Sequence, residues 1–379
     1  MRHILLYLLL TLLTVSCAHR GGTGIGDFTE TLYTPRYATG FEIRRAPHGT
    51  ATLIVSTAPW QGSGGAQRQL VIDPEGDKAA SGNPDVQRIA GAARRIVCMS
   101  STHVAMLGAI GCSDRIVGVS GIDFISDPYV TAHRDAIADV GYEPDIDYER
   151  IVSLDPDLVL LYGVTGPSGM ESKLRELGIP YAYVGEYVES SPLGKAEWMV
   201  AMGEIAGCRD RADRLFATLP PRYDSLRRAA AAMPRRPRVM INAPYGDNWF
   251  MPSTSSYMAR LIEDAGGDYI YRHDTGDKSE TIDMEQAYLM ASQADCWINV
   301  GQIASLAELR SRHPKFADVE CVRRGRIYNC NRRTTAAGGN DFWESSVVHP
   351  DVVLRDLIGV FHPEAGIADE SLYYYKRIE

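Results

Sequence analysis

No apolar run in this 379-residue chain is long enough to cross a bilayer as a helix: the segment Ile4 to Leu13 has ten residues, where roughly 20 are needed. Long basic runs are missing too, and 39 basic against 48 acidic residues leave a net charge of −9, which argues against nucleic acid as a partner. The seven cysteines are scattered without a C-x-x-C, so neither a zinc-knuckle nor a dense disulfide framework is written into their spacing. Nine histidines are spread without ligand spacing, against a protein cage for bare zinc or manganese. There is no G-x-S-x-G elbow, no H-E-x-x-H, no G-x-x-x-x-G-K phosphate loop and no G-x-G-x-x-G after a strand. These absences weigh against an enzyme without excluding one.

What is present is organised around one unit. Glu149 to Leu154 carries Ile151, Val152 and Leu154 among charged residues and suits a short helix. Pro156 stops it, because proline lacks the N–H and restricts the residue before it. Leu158 to Leu161 then reads as a strand buried on both faces of a parallel sheet. The same order returns from Asp283 through Glu285 to Asp295 and the strand 296–300. Two copies suggest two similar lobes, and a chain of this length exceeds what one core usually supports.

The start reads as an export signal. Arg2 precedes the apolar segment, and small residues and Cys17 follow it. Leu13-Thr-Val-Ser-Cys17 resembles a bacterial lipoprotein signal, in which the cysteine is acylated; Thr14 departs from the commonest pattern, and an ordinary signal with a chance cysteine is the alternative. Residues 1–16 are thus expected as signal peptide and 17–36 as a lipid-anchored flexible tether. Residues 37–90 read as a small antiparallel β appendage of the first lobe, with Trp60 in a packing role. An N-terminal lobe is expected over 91–195, a helical connector over 196–235 and a C-terminal lobe over 236–379. Pro220-Pro221 implies that the connector either kinks or is two helices meeting. Cys98 and Cys296 fall in apolar strands as small hydrophobes, and no disulfide is required for folding.

From Arg95-Ile-Val through Ile116-Val-Gly-Val119, the two repeated units and the late stretch 322–328, the chain resembles the substrate-binding proteins of ABC importers for metal chelates over roughly residues 94–362. The resemblance implies an α/β fold of two Rossmann-like lobes with parallel central sheets, joined by a helical connector (the class III periplasmic-binding-protein fold), plus the N-terminal β appendage. It implies an exported, lipid-anchored protein on the periplasmic side of the envelope. Its partners would be a ferric siderophore or haem, with a corrinoid such as vitamin B12 as the alternative, and an ABC permease with its ATPase. Contact with the membrane would be through the anchor alone, and no cofactor is implied. In that family a glutamate on each lobe pairs with permease arginines; the matching residues are Glu149 and Glu285. A solvated helix-start carboxylate is the plain alternative for each. An envelope enzyme on a similar scaffold is the competing class.

In open α/β sheets ligands sit beyond the carboxyl ends of the strands. The loops there bring Ser101, Thr102, Tyr162, Tyr187, Tyr245, Trp249, Arg332, Arg333, Asn340 and Trp343 to one cleft as ligand-binding candidates. Aromatic faces with a few cations suit a large anionic chelate. Each aromatic can equally be a packing residue, and the two arginines can instead hold Asp341 and Glu344. The stretch 331–343 is expected to close one wall, with Gly338-Gly339 letting backbone approach the ligand.

Overall fold

The structure is a computed structural model and describes residues 23–76, 83–246, 248–273, 276, 278–367 and 371–379. The signal segment and Cys17 lie outside the described residues.

The first lobe is a five-stranded parallel sheet in the order Tyr181–Tyr183, Leu158–Leu161, Ile96–Cys98, Ile116–Val119, Ala138–Asp139. Its sequence shows why: Leu158–Leu161 is buried at every position. Leu158 and Leu160 point into the main core, while Val159 and Leu161 point into a second cluster with Val97 and Tyr181, the two-residue alternation of a strand covered on both faces.

The second lobe repeats the plan in the order Asp268–Tyr269, Arg238–Ile241, Cys296–Ile298, Ile327–Asn329, Lys376–Arg377. The last strand is antiparallel, so this sheet is not wholly parallel. Asp356 positions the returning chain, accepting the N–H groups of Tyr373, Tyr374 and Tyr375 at 2.6–3.2 Å.

The repeated unit keeps its chemistry in both lobes. Asp147 caps helix Tyr148–Ser153 by accepting Arg150 N–H at 2.8 Å, and Asp283 caps Met284–Gln293 by accepting Gln286 N–H at 2.8 Å. The aspartate before each buried strand, Asp157 or Asp295, accepts a backbone N–H at the entrance of the neighbouring strand.

The N-terminal sheet is larger than the sequence suggests. It has five strands in sequential order, Glu30–Tyr33, Phe41–Arg45, Thr52–Ser56, Arg68–Ile72 and Val86–Ile89. The final pair is parallel, which corrects the expectation of an all-antiparallel appendage. Residues 30–36 are therefore not tether. Buried Glu197 accepts from Tyr33 Oη at 2.8 Å and from the N–H groups of Arg36, Tyr37 and Ala38 at 2.7–2.8 Å. Glu189 accepts from Thr39 and Gly40 N–H and from Trp198 Nε1 at 2.9–3.0 Å. Two carboxylates thus satisfy a whole turn of backbone donors.

The connector is three helices: Pro192–Ile205, Arg209–Phe216 and Leu219–Ala231. Pro220 and Pro221 stand in the first turn of the third, where a missing N–H removes no helical bond. Two helices meet there. Pro192–Ile205 is buried all round apart from Lys195 and Glu204, as the central helix that both lobes and the appendage pack on.

Candidate functional site

Three neighbouring second-lobe strands deliver an asparagine at their carboxyl ends: Asn242 after Arg238–Ile241, Asn299 after Cys296–Ile298, and Asn329 closing Ile327–Asn329. Asn242 and Asn299 turn the chain with φ of 68° and 57°, a left-handed conformation that asparagine adopts more readily than most side chains. Above these ends opens a cavity of about 860 Å³ whose lining includes Tyr245, Phe250, Asn299, Arg312, Asn340 and Trp343. No carboxylate belongs to its described lining. Arg312 is ion-paired with Glu308 at 2.7 Å, and burial lowers the neighbouring His313 imidazole from its ordinary value, aided by Arg312.

A second cavity of about 280 Å³ shares Asn242, Asn299 and Trp343 with the first and reaches Tyr187, Tyr257 and, from the appendage, Gln61. Beneath it Lys195 donates to Glu186 O at 2.9 Å and lies 4.6 Å from the Tyr257 ring centroid. Burial lowers the Lys195 ammonium from its ordinary value, against the pull of Glu186 and Glu189. A third cavity, also about 280 Å³, belongs to the first lobe and includes Tyr142 and Tyr162.

The predicted residues divide on this geometry. Tyr245 is 80% exposed and Trp343 50% exposed, both on the large cavity. Asn340 lines it as well, while its Oδ1 caps helix Asp341–Ser345 by accepting Phe342 N–H at 3.0 Å. Tyr187 lies on the second cavity and Tyr162 on the third. Ser101 and Thr102 line none of the three. Ser101 opens helix Ser101–Ala109, capped by Ser100, and Thr102 donates its hydroxyl to buried Glu186 at 2.5 Å.

One candidate is corrected, and two stand apart from the three cavities. Trp249 is fully buried, its indole N–H donated to Ile241 O at 2.9 Å and its ring 5.4 Å from both Trp297 and Phe316. It is core, not a cleft wall. Arg333 donates to Asp341 at 2.7 Å and covers the Tyr373 ring at 4.5 Å, so its charge is already engaged. Arg332 is exposed and outside all three linings, its N–H bonded to Tyr374 O. Sequence reasoning missed the strand-end asparagines, Tyr257 and Arg312. An asparagine directly after an apolar strand was the available signal for the first group.

The stretch 331–343 has a second role. Gly339 packs on the first lobe: a Cβ there would fall 2.0 Å from Phe124 O. It approaches protein backbone and not a ligand, whereas Gly338 borders the cavity with φ of 92°. Thr335 donates to Asp123 O at 2.8 Å, and Ser126 donates its N–H to Glu344 at 2.8 Å and its hydroxyl to Asp341 at 3.2 Å. These bonds latch the two lobes. Burial pushes the Glu344 carboxyl up to about 7, with the Ser126 N–H opposing the rise.

Glu149 and Glu285 are exposed in the first turns of their capped helices, with no ion pair among the described residues. Val152, 47% exposed, and Leu289, 55% exposed, stand within a turn of them.

The family described as periplasmic binding protein matches residues 96–334. Among curated proteins the chain is similar to two uncharacterized lipoproteins of Methanocaldococcus jannaschii. One is 26% identical over 293 residues, covering 74% of this chain and 68% of that protein. The other is 25% identical over 252 residues, covering 64% and 62%. Among solved structures it resembles a periplasmic haem-binding protein from Pseudomonas aeruginosa, with TM-score 0.59, 17% identity and coverage of 76% and 98%. It also resembles the periplasmic vitamin B12 binding protein of Vibrio cholerae, with TM-score 0.54, 16% identity and coverage of 72% and 98%. These structural likenesses speak to the fold.

Proposed function

This chain belongs to the periplasmic binding protein family, and from that premise we propose that it captures a metal chelate between its lobes and delivers it to an ABC permease with its ATPase. The observation that carries the reading is the cavity of about 860 Å³ over the strand ends of the second lobe, walled by Tyr245, Phe250 and Trp343. Small-molecule sites commonly have about 300–1,000 Å³, apolar walls and a few convergent polar groups. A lining without carboxylates favours a chelate over a bare cation. The family and fold are those of binding proteins, and no catalytic step enters the proposal.

An iron complex, ferric siderophore or haem, is the first reading for the ligand. The aromatic faces support it by offering flat surfaces to a large ring system. A corrinoid is the second reading, and a specific observation favours it. The arginines near the cavity are engaged, Arg312 with Glu308 and Arg333 with Asp341, so carboxamides dominate the polar lining and suit a ligand rich in amide groups. Export and anchoring through Cys17 fit the lipoprotein relatives, and among the described residues no helix is long and apolar enough to cross a membrane. Glu149 and Glu285 are proposed to dock on permease arginines.

The test is a tryptophan-fluorescence titration against haem, cobalamin and several ferric siderophores. Trp60, Trp198, Trp249 and Trp297 are buried, and Trp343 alone of the five is half exposed on the cavity. Saturable quenching by one ligand at micromolar or tighter affinity, weakened in Trp343→Phe and with the ligand recovered unchanged, supports the reading. Absence of any response across the panel counts against it.

A further inference from the structure

Cys112 and Cys208 are 96 positions apart in sequence, yet their sulfurs lie 3.2 Å apart. The backbone holds them there by the same device twice. Helix Ser101–Ala109 ends at Gly111, φ 66°, with Gly111 N–H on Gly108 O and Cys112 N–H on Leu107 O at 2.8 Å. Helix Pro192–Ile205 ends at Gly207, φ 63°, with Gly207 N–H on Glu204 O and Cys208 N–H on Gly203 O at 2.7 Å. Both are Schellman closures, and each cysteine occupies the position after the left-handed glycine. That position usually carries an apolar contact back to its own helix. Here each sulfur instead meets the sulfur of the other helix end.

We propose that Cys112 and Cys208 form a disulfide in the exported protein, tying the first-lobe helix to the central helix of the connector. Bond formation requires the sulfurs to close by about 1.2 Å, to the ~2.0 Å of a disulfide. Cys208 is half-buried and offers the accessible sulfur, while Cys112 is buried behind it. Burial raises the Cys112 thiol, with Cys208 adding to the rise; Arg211, whose Nη2 lies 3.0 Å from Cys112 Sγ, opposes it as a cation beside the sulfurs. The oxidant is the disulfide of an envelope dithiol–disulfide exchange protein. Cys208 thiolate attacks it and displaces one of its sulfurs as thiolate. Cys112 thiolate then attacks the mixed disulfide at the Cys208 sulfur and releases the second. Two protons leave the thiols of this chain, and the electron pair ends on the oxidant as a dithiol.

Cys98, Cys296, Cys321 and Cys330 are buried as Cys112 is, and burial pushes the last three up to about 12; what sets the pair apart is its geometry. Among the described residues no second pair of sulfurs comes within bonding range. With the bridge closed, the first lobe and helix Pro192–Ile205 become one covalent body. Relative motion of the lobes then falls to Arg209–Phe216 and Leu219–Ala231.

The experiment counts thiols on the full chain recovered from an oxidising compartment, or purified reduced and then equilibrated with glutathione disulfide. Thiols are trapped in acid, the protein is denatured, and a maleimide-polyethylene glycol label is added with and without prior reduction. Reduction is expected to add two labels, whatever the state of Cys17. Proteolysis of the unreduced protein should release one linked peptide containing Cys112 and Cys208. In Cys112→Ser and in Cys208→Ser the increment of two should vanish. Equal label counts before and after reduction of the wild-type protein overturn the proposal, and so does a linked peptide joining any other pair. Both readouts are taken on the wild-type chain, so they hold even where a variant folds poorly.

Discussion

The latch between the lobes makes stability depend on pH in a direction opposite to that of an ordinary paired carboxylate. Glu344 is 2% exposed, and burial lifts its carboxyl from 4.5 to about 7. At 1.36 kcal/mol per pH unit, that rise is equivalent to about 3 kcal/mol of preference for the protonated form in the folded chain. The folded protein binds this proton more tightly than the unfolded one. Its contribution is therefore complete below the unfolded value near 4.5 and is lost as pH rises through about 7. Glu344→Gln keeps an oxygen for Ser126 N–H and removes the titration. Melting temperatures of the two proteins should agree within about 1–2 °C at pH 5. Toward pH 8 the wild type should fall behind the variant by about 3 kcal/mol, roughly 4 °C for a chain of this size. Other titrating groups, such as His349 and Asp356, are common to both proteins and cancel in the difference. Parallel pH profiles between 5 and 8, or a wild type that gains on the variant as pH rises, refute the reasoning.

Two tryptophans separate site from core. Trp343→Ala removes a half-exposed face from the cavity and should weaken ligand binding about tenfold or more with little change in melting temperature. Trp249→Ala removes a fully buried ring and should cost about 3–5 kcal/mol; calorimetry alongside the fluorescence titration distinguishes the two effects. Glu197→Ala leaves three backbone N–H groups at 36–38 without their acceptor, at about 1–3 kcal/mol for each one buried. Limited proteolysis should then cut near residue 40 before the lobes open. Glu149→Ala combined with Glu285→Ala should leave folding and ligand affinity intact, since exposed carboxylates contribute about 0–1 kcal/mol, while uptake in cells is abolished. Normal uptake by that double variant removes the docking role.

Much of the scaffold is legible in local sequence. Leu158–Leu161, Ile116–Val119 and Arg238–Ile241 are largely apolar runs bounded by aspartate, glycine or proline, and Ser100, Asp147 and Asp283, which cap their helices, are residue types that suit the position before a helix. What local sequence does not reveal is what depends on distant partners. The stretch before residue 37 is polar and glycine-rich, and nothing local says that Glu197, some 160 positions later, will order it. Trp249 has the sequence position of a cleft residue because it follows a strand by a short loop; the loop instead folds back as strand Trp249–Met251, paired with Glu280–Ile282, and carries the indole into the core. Gly339 does mark a close approach, but its neighbour is the backbone of Phe124, 215 positions earlier, and not a ligand.

The acidic excess of the chain illustrates the same limit for ligand chemistry. A net charge of −9 taken alone disfavours an anionic chelate, yet no acidic side chain belongs to the described lining of the large cavity. Glu189, Glu197, Asp157, Asp295, Asp356 and Glu344 all accept backbone N–H groups where separate segments of chain meet. In that use a carboxylate offers two oxygens to several donors at once, which no neutral side chain matches. The acids therefore hold the junctions of the architecture, and the described wall of the large cavity is left without a carboxylate, its polar groups mostly asparagine with Gln302, Arg312 and His313. Ligand charge in this protein is governed by which residues face the cavity, a property of the three adjacent strand ends at Asn242, Asn299 and Asn329 and not of the overall composition.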